Sequence, residues 1–437
     1  MLKGKTVAPL TLGCKVNQYE TDGMIELLKE AGMTAVSFEE KADVYLINTC
    51  SVTNMADKKS RQMIHRAKKL NPDAVVIAAG CYVQAAKDKL MEDDRISIII
   101  GNNKKKDIVQ ILEDYLEIGV TDEGMLDIAA EKEYEPLTIN STLEHTRAYV
   151  KIQDGCNQFC SYCIIPYVRG RIRSRELASI TEEVERLAQT GVKEIVLTGI
   201  HISSYGKDKE NEVGLADVID TISKIESIER IRLGSLEPGI ITDTFIDRIV
   251  DNKKVCPHFH LSLQSGCNTV LKRMNRKYTC EEYFEKCEML RKAFDRPALT
   301  TDVIVGFPGE TDEEFQETVD YLTKLNLYEM HIFKFSPRQG TVAAGMRDQI
   351  GPEIKNQRSD VLLALSEKNK HAYEASFRGE TLEVLIEEKV RRNGKDGYRG
   401  HTERYIDIFV EEECMHRICG REVDIINHIV QIPYGME

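Results

Sequence analysis

None of the 437 residues is tryptophan, an absence from which nothing follows. The lack of any long apolar run excludes more. A bilayer span needs about 20 consecutive apolar residues, whereas the longest runs here are strand-sized, such as 97-SIII-100 and 195-IVL-197. No membrane-crossing helix and no membrane partner is expected. The first residues, MLKGKTVAPLTLGC, show no cleavage-site pattern, so a cytoplasmic protein is expected. Positive charge is not in excess: the net charge of −13 argues against a uniformly basic nucleic-acid coat but leaves room for local basic patches. Internal repeats and low-complexity tracts are missing as well. What remains, 42% hydrophobic and 30% charged, is an ordinary globular balance. At about 150 residues per domain the length suggests roughly three domains.

Cysteine, by contrast, is plentiful, with 12 residues. In a reducing compartment that number points to metal ligation or catalysis rather than to disulfides.

Residues 1–120 alternate strand and helix. The runs 43-DVYLINT-49 and 74-AVVIAAG-80 are nearly all apolar, as in strands buried on both faces of a parallel sheet. Helical stretches are expected from about Met55 to Leu70, ended by Asn71-Pro72, and from about Gln18 to Ala31, ended by Gly32. The pattern predicts a flavodoxin-like, doubly wound α/β domain. A polar, aperiodic linker is placed at 121–141. From 142 to 373 the alternation restarts, with strands expected at 148–153, 194–199, 230–235, 258–263, 299–307 and 329–335. Six β/α repeats describe a partial barrel two units short of the eight-fold one. Residues 374–437 offer strand-like runs at 381–387, 405–411 and 422–430 with no helix among them, predicting a small antiparallel β-barrel.

Cys156, Cys160 and Cys163 form CxxxCxxC directly after the first barrel strand. Three thiolates at that spacing can hold three irons of a [4Fe–4S] cluster and leave the fourth iron open. Active sites of such barrels lie at this end of the strands. An incomplete zinc site or three unrelated thiols are the alternatives. Cys14, Cys50 and Cys81 follow successive strand candidates at spacings of one β/α repeat, which would bring them to one ligand crevice. Buried structural cysteines are the alternative there. Cys256, Cys267, Cys280 and Cys287 have no paired spacing and read as small buried hydrophobes. Cys414 and Cys419 lie in the β module, where a metal site is the less expected reading.

Together, CxxxCxxC on the first strand of a partial barrel resembles the radical S-adenosylmethionine (SAM) superfamily. The three N-terminal cysteines, 166-PYVRGRIRSRE-176, 263-LQSGCNTVLKRMNRKYT-279 and 302-DVIVGFPGET-311 narrow the resemblance to its methylthiotransferases, with a C-terminal module that looks like a TRAM domain. The stretches 11-TLGCKVNQYET-21 and 151-KIQDGCNQFCSYCIIPYVRG-170 look most like enzymes acting on N6-threonylcarbamoyladenosine at position 37 of tRNA.

The resemblance implies two [4Fe–4S] clusters, one on Cys14, Cys50 and Cys81 that handles sulfur and one on Cys156, Cys160 and Cys163 that binds SAM. Adenine C2–H is neither acidic nor nucleophilic, so replacing that hydrogen by sulfur calls for radical chemistry carried by the cofactors. No side chain is expected to act as acid or base. Tyr162, Gly199, His201, Ser235, Glu237, Asp302 and Gly306 are the expected SAM neighbours. Arg169, Arg171, Arg173 and Arg175, with Lys272 and Arg273, are the expected contacts to the tRNA anticodon stem-loop. Arg276 and Lys277 continue the second of these basic stretches, and Lys58, Lys59 and Arg61 form a third just beyond Cys50, at the start of a helix. A reducing electron donor is implied; DNA is not. Methylthiolation of isopentenyladenosine, methylthiolation of a ribosomal-protein aspartate, and a non-catalytic zinc-containing RNA-binding protein are the competing readings.

Overall fold

The computed structural model describes residues 1–119, 125–140, 146–210, 213–419 and 425–435. The first sheet is parallel throughout, with strands β1 (Thr6–Thr11), β2 (Thr34–Ala35), β3 (Val44–Thr49), β4 (Val75–Gly80) and β5 (Ile98–Ile100) in the order β2-β1-β3-β4-β5. This is the flavodoxin-like order, with its topological switch point at β1/β3. All six residues of β3 are buried, because helices cover both faces. One of these, Lys15–Glu30, buries Met24, Ile25 and Leu28 with its own sheet. Its other side, carrying Tyr19 and Glu20, turns to the next domain: Tyr19 donates to Leu137 O at 2.6 Å and bonds Glu183 at 3.0 Å.

The described part of the expected linker, 125–140, has no regular element, yet it is not a solvated spacer. Ile128, Leu137 and Ile139 are buried, and Leu137 and Ile139 join the core of the second domain.

That domain has β6 (Arg147–Asp154), the two-residue edge strand β7 (Arg173–Ser174), β8 (Glu194–Gly199), β9 (Arg230–Leu233), β10 (His258–His260), β11 (Ala298–Val305) and β12 (Glu329–Lys334). β6, β8 and β9 pair in parallel, as do β10, β11 and β12. The bridges Ile231↔Val255 and Leu236↔Leu261 join the halves into a six-stranded partial barrel. Alternation separates its two faces. Ala148, Val150, Ile152, Ile195, Leu197, Ile231, Leu233, Leu299 and Val303 pack under the outer helices, while the intervening polar residues line the lumen.

The C-terminal module is an antiparallel sheet of β13 (Thr381–Arg392), β14 (Lys395–Thr402), β15 (Asp407–Glu411) and β16 (Ile429–Pro433), ordered β15-β14-β13-β16. It closes the lower mouth of the barrel. Arg230 donates to His401 O and Glu383 O at 3.1 and 2.9 Å, and Arg232 to Glu403 O and Thr402 O at 2.8 and 3.1 Å. Two expectations are corrected here. A helix, Glu412–Cys419, stands where none was expected; eight residues with one buried apolar side chain, Met415, sample helical periodicity too briefly to show it. The last strand begins at Ile429 rather than 422; residues 420–424 lie outside the described ones.

Candidate active site

Cys50 and Cys81 directly follow β3 and β4, and Cys14 stands three residues beyond β1. Backbone approach makes that convergence possible. At Gly13 (φ +106°) an added Cβ would meet Cys50 Sγ at 2.8 Å, so only glycine lets Cys50 sit so close. Buried Asn17 ties the two strand ends together, donating to Leu12 O at 2.7 Å and Thr49 O at 3.0 Å. Cys81 accepts from Asn102 Nδ2 at 3.8 Å and from Arg169 Nε at 3.2 Å.

The second triplet occupies the loop after β6. Gly155 (φ +70°) is pressed against the returning chain, where a Cβ would overlap Arg171 O at 1.8 Å. The segment 272–276 pins the loop from the other side: Ser161 N–H donates to Met274 O at 3.0 Å and Asn275 Nδ2 to Phe159 O at 2.9 Å. Arg276 Nη1 donates to Cys160 Sγ at 3.3 Å. The same guanidinium bonds Tyr278 Oη at 2.8 Å and Glu237 at 3.3 Å, and Glu237 in turn meets His201 Nε2 at 2.8 Å. His201 and Glu237 are therefore joined to a cysteine of the triplet through Arg276.

The two triplets are neighbours. The short helix Ile165–Arg169 begins two residues after Cys163, packs Ile164 and Val168 on Cys81, and ends in the arginine that bonds that thiol. Arg169 also donates to Glu20 (2.7 Å), Asn17 (2.7 Å) and Asp154 (3.2 Å). Lys105 meets Glu20 at 2.6 Å, Lys151 meets Glu20 and Asp154 at 2.7 and 2.6 Å, and Arg173 lies 3.7 Å from Asp154. This buried network holds four cations against Glu20 and Asp154, with buried Glu135 as a third carboxylate facing Lys105 and Lys151. Burial alone would push the Glu20 carboxyl up, but Arg169, Lys105 and Lys151 hold it well below its usual value. The surplus positive charge suits an anionic group at Cys81.

Burial, with the neighbouring thiols behind it, raises the Cys50 and Cys156 thiols to about 11 and Cys163 to about 12. Such thiols ionise when a metal takes their charge. Among the described residues the set of three His, Cys, Asp or Glu donors found within 4.8 Å of one another is His260, Asp302 and His331; neither triplet is drawn in so closely. The all-sulfur donor set of each triplet fits an iron–sulfur cluster.

Residues 150–322 match the model of the radical SAM superfamily, and residues 6–101 match that of "Uncharacterized protein family UPF0004". The chain is 42% identical over 430 residues (98% of this chain, 93% of the relative) to the threonylcarbamoyladenosine tRNA methylthiotransferase MtaB of Bacillus subtilis. The chain belongs to the radical SAM methylthiotransferase family. Another family member, the tRNA-2-methylthio-N(6)-dimethylallyladenosine synthase of Thermoanaerobacter pseudethanolicus, is 36% identical, with 94% of this chain and 89% of that one covered. Among solved structures, the radical SAM methyltransferase TsrM of Kitasatospora setae has the same fold, with a TM-score of 0.58 at 15% identity over 78% of this chain and 77% of that chain.

Within this methylthiotransferase, Tyr162 is part of the CxxxCxxC loop, and His201 and Glu237 lie beside it. The Tyr162 ring is set edge-on to Phe307 at 6.5 Å in a small apolar cluster. Gly199 leaves room for Gln153 O, which a Cβ would approach to 2.9 Å. Ser235 is exposed at the strand mouth. Asp302 points into the lumen, where its Oδ1 is shared by His260 Nε2 at 3.4 Å and His331 Nδ1 at 3.2 Å. Gly306 stands at the end of β11 with φ +69°. Its N–H donates to Glu310 at 2.7 Å, and the stem of Lys355 covers its open side, where a Cβ would meet Cγ at 2.3 Å. It serves the turn and the packing of Lys355.

The basic run after Cys163 is corrected. Arg169 and Arg173 are 0% exposed and Arg175 2%, Arg175 being ion-paired with Glu183, so none can reach a polynucleotide. Arg273 is half-buried and paired with Glu314 at 2.6 Å. Arg171, stacked 4.5 Å from the Phe159 ring, and Lys272 are exposed. Cys256, Cys267, Cys280 and Cys287 are buried, and Cys414 and Cys419 pack against the core of the C-terminal module and bond Arg417 and Met415 of their own helix. Two important residues carry no signal in the sequence. Arg276 reads there as one more basic side chain. Arg338 bonds Ser51, Asn54 and Asp57, each at 2.7 Å, tying the strand end of β12 to the Cys50 loop.

Proposed function

We propose that this protein is a tRNA methylthiotransferase that converts N6-threonylcarbamoyladenosine at position 37 to its 2-methylthio derivative. One observation carries the reading: two three-thiol sites stand side by side at the open strand ends of two domains, joined by Ile165–Arg169. The 42% identity to a threonylcarbamoyladenosine enzyme against 36% to a dimethylallyladenosine one supports the choice of base.

Cys156, Cys160 and Cys163 would hold one [4Fe–4S] cluster and Cys14, Cys50 and Cys81 the other. When bound, these clusters and SAM supply one-electron cleavage chemistry and the sulfur for an unactivated C2–H position. The chain's own groups orient and enclose. Arg276 donates to the Cys160 sulfur and, through Glu237, fixes His201 beside the loop that would hold the SAM-binding cluster. Arg169 donates to Cys81 and braces the first site against the barrel. The C-terminal module seals the lower mouth, so a base enters between the two triplets. That base must be single-stranded and unstacked, as in an anticodon loop. A reducing electron donor and a cytoplasmic setting belong to this reading.

The test is to reconstitute the protein anaerobically and supply tRNA carrying threonylcarbamoyladenosine or, separately, dimethylallyladenosine, then weigh the digested nucleosides. The 2-methylthio product is expected from the first. Product from the second alone would overturn the choice of base, and product from neither, with both clusters loaded, the tRNA assignment.

A further inference from the structure

The lumen of the barrel is a charged chamber, and nearly all of its charges are matched. On its walls Arg147 pairs with Glu387 at 3.2 Å, Arg232 with Glu194 at 2.7 Å, and Lys151 with Glu20 and Asp154. Arg230 lies 3.9 Å from Glu194 and 3.8 Å from Glu403. Asp302 is shared by His260 and His331.

Lys15 is different. It comes from the other domain, as the first residue of the helix Lys15–Glu30 and the immediate neighbour of Cys14. Its ammonium stands 5.9 Å from the ring centroid of Tyr149, a lumen-facing residue of β6. Lys15 is exposed, and among the described residues no carboxylate lies within ion-pair distance of it, while Arg147 and Arg232 act on it with like charge and Glu194 with opposite charge. An ammonium set among like-charged arginines with no paired carboxylate is a ready site for an anionic group of an occupant.

The occupant that fits must carry an anion small enough to enter where the nucleic-acid backbone cannot. This step rests on the tRNA reading proposed above. Of the two N6 substituents named for the relatives, the threonylcarbamoyl group ends in a carboxylate, at the far end of the chain that extends from N6, whereas the dimethylallyl group is a hydrocarbon. We propose that Lys15 is the specificity residue of this chain, its ammonium binding the carboxylate of the threonylcarbamoyl substituent while the neighbouring Cys14 site serves C2. Lys15 also falls within the stretch 11-TLGCKVNQYET-21.

The experiment crosses a change in the enzyme with a change in the substrate. Wild type, Lys15→Gln and Lys15→Arg, each with iron content measured, are assayed by nucleoside mass spectrometry on anticodon-loop RNA bearing threonylcarbamoyladenosine or its carboxyl methyl ester. Wild type should prefer the free acid by about 10–100-fold in kcat/KM, as expected for one charge-assisted hydrogen bond, and chiefly through KM. Lys15→Gln should lose that preference and Lys15→Arg should keep most of it, at unchanged iron content. Wild type using acid and ester equally well would overturn the inference, even if the glutamine variant proves too unstable to study. So would Lys15→Gln retaining both the wild-type KM and the preference for the acid. If wild type modifies only dimethylallyladenosine RNA, the reading of the substrate fails instead, and the two failures are told apart.

Discussion

Arg169 Nε donates to Cys81 Sγ at 3.2 Å. The residue belongs to the barrel domain and the thiol to the flavodoxin-like one, so a single guanidinium connects the sulfur of one triplet to the loop that carries the other. Because the same side chain bonds Glu20, Asn17 and Asp154, it is structural and electrostatic at once.

Arg169→Ala should therefore do two things. Breaking a buried ion pair from one side costs about 3–5 kcal/mol, which denaturant unfolding of the apo-protein would read. Iron should be lost from the Cys14, Cys50 and Cys81 site while the other site stays loaded. Arg169→Lys keeps the charge without the planar fork and should fall between the two. Full stability and full iron in the alanine variant would show that the network is dispensable.

Replacing Cys156, Cys160 and Cys163 together by alanine should leave about half the iron and acid-labile sulfide, since each three-thiol set would hold one cluster. The complementary variant in Cys14, Cys50 and Cys81 should also retain about half. Complete loss in either case would mean one shared metal centre. An equivalent of zinc in place of iron and sulfide would revive the RNA-binding alternative.

The large elements are legible in the sequence because their signal is local. The unbroken apolar run of β3, the Thr311 cap before Asp312–Leu325 and the Asn-Pro stop after Leu70 all depend on a few consecutive residues. β14 is not legible, although its hairpin turn, Asn393-Gly394 with φ of +52° and +82°, is a strong turn dipeptide. Its strand, KDGYRGHT, has two glycines and little apolar character. The cysteine triplets are legible from spacing. The fate of the arginines is not. The run RGRIRSRE looks like an exposed basic patch until the chain brings Glu20 to Arg169, 149 residues away in sequence. Burial of a charge is decided by its partner, and that partner is non-local.

Arg276→Met removes the donor to Cys160 while keeping most of the side-chain volume. A charge-assisted hydrogen bond of about 1.5–3 kcal/mol, removed from the reduced cluster, lowers a one-electron midpoint by about 60–130 mV at 59 mV per tenfold. EPR-monitored redox titration should show that shift in the barrel site only. SAM cleavage should slow, with iron retained. An unmoved potential would mean the 3.3 Å approach of Arg276 to Cys160 does not act on the cluster.

The His331–Asp302 pair gives a pH dependence with a definite sign. The hydrogen bond to Asp302 raises the His331 pKa above its ordinary value, against burial and the opposing charge of Lys15 and with help from Glu329. A histidine whose folded value is raised stabilises the fold fully below its unfolded pKa of about 6.5, and loses that contribution as pH rises through the folded value. In histidine-labelled apo-protein, His331 should titrate above the ordinary histidine value, and Asp302→Asn should bring it back down. If the substitution leaves the titration unmoved, Asp302 is not its partner in solution.

Binding of tRNA should divide the arginines that sequence groups together. Arg171 is exposed beside the cysteine loop and Lys272 is exposed on the segment that pins it, so both can meet phosphates at the mouth through which a base would enter. Removing one cation that neutralises a phosphate should weaken binding by a factor that shrinks as salt rises, and should reduce the log–log salt slope by about 0.7–0.9. Arg171→Ala and Lys272→Ala together should therefore bring the slope down by about 1.5 with unfolding behaviour unchanged. Arg175→Ala should do the reverse. Arg175 is ion-paired with Glu183 and donates to Tyr19 at 3.1 Å, so its removal leaves a buried carboxylate without its partner between the two domains. That variant should unfold at lower denaturant, with a tRNA salt slope like that of wild type in the fraction that remains folded. A wild-type slope in the Arg171, Lys272 double variant would move the RNA surface away from the cysteine loop. A reduced slope in Arg175→Ala at wild-type stability would show that the buried pair opens when RNA binds.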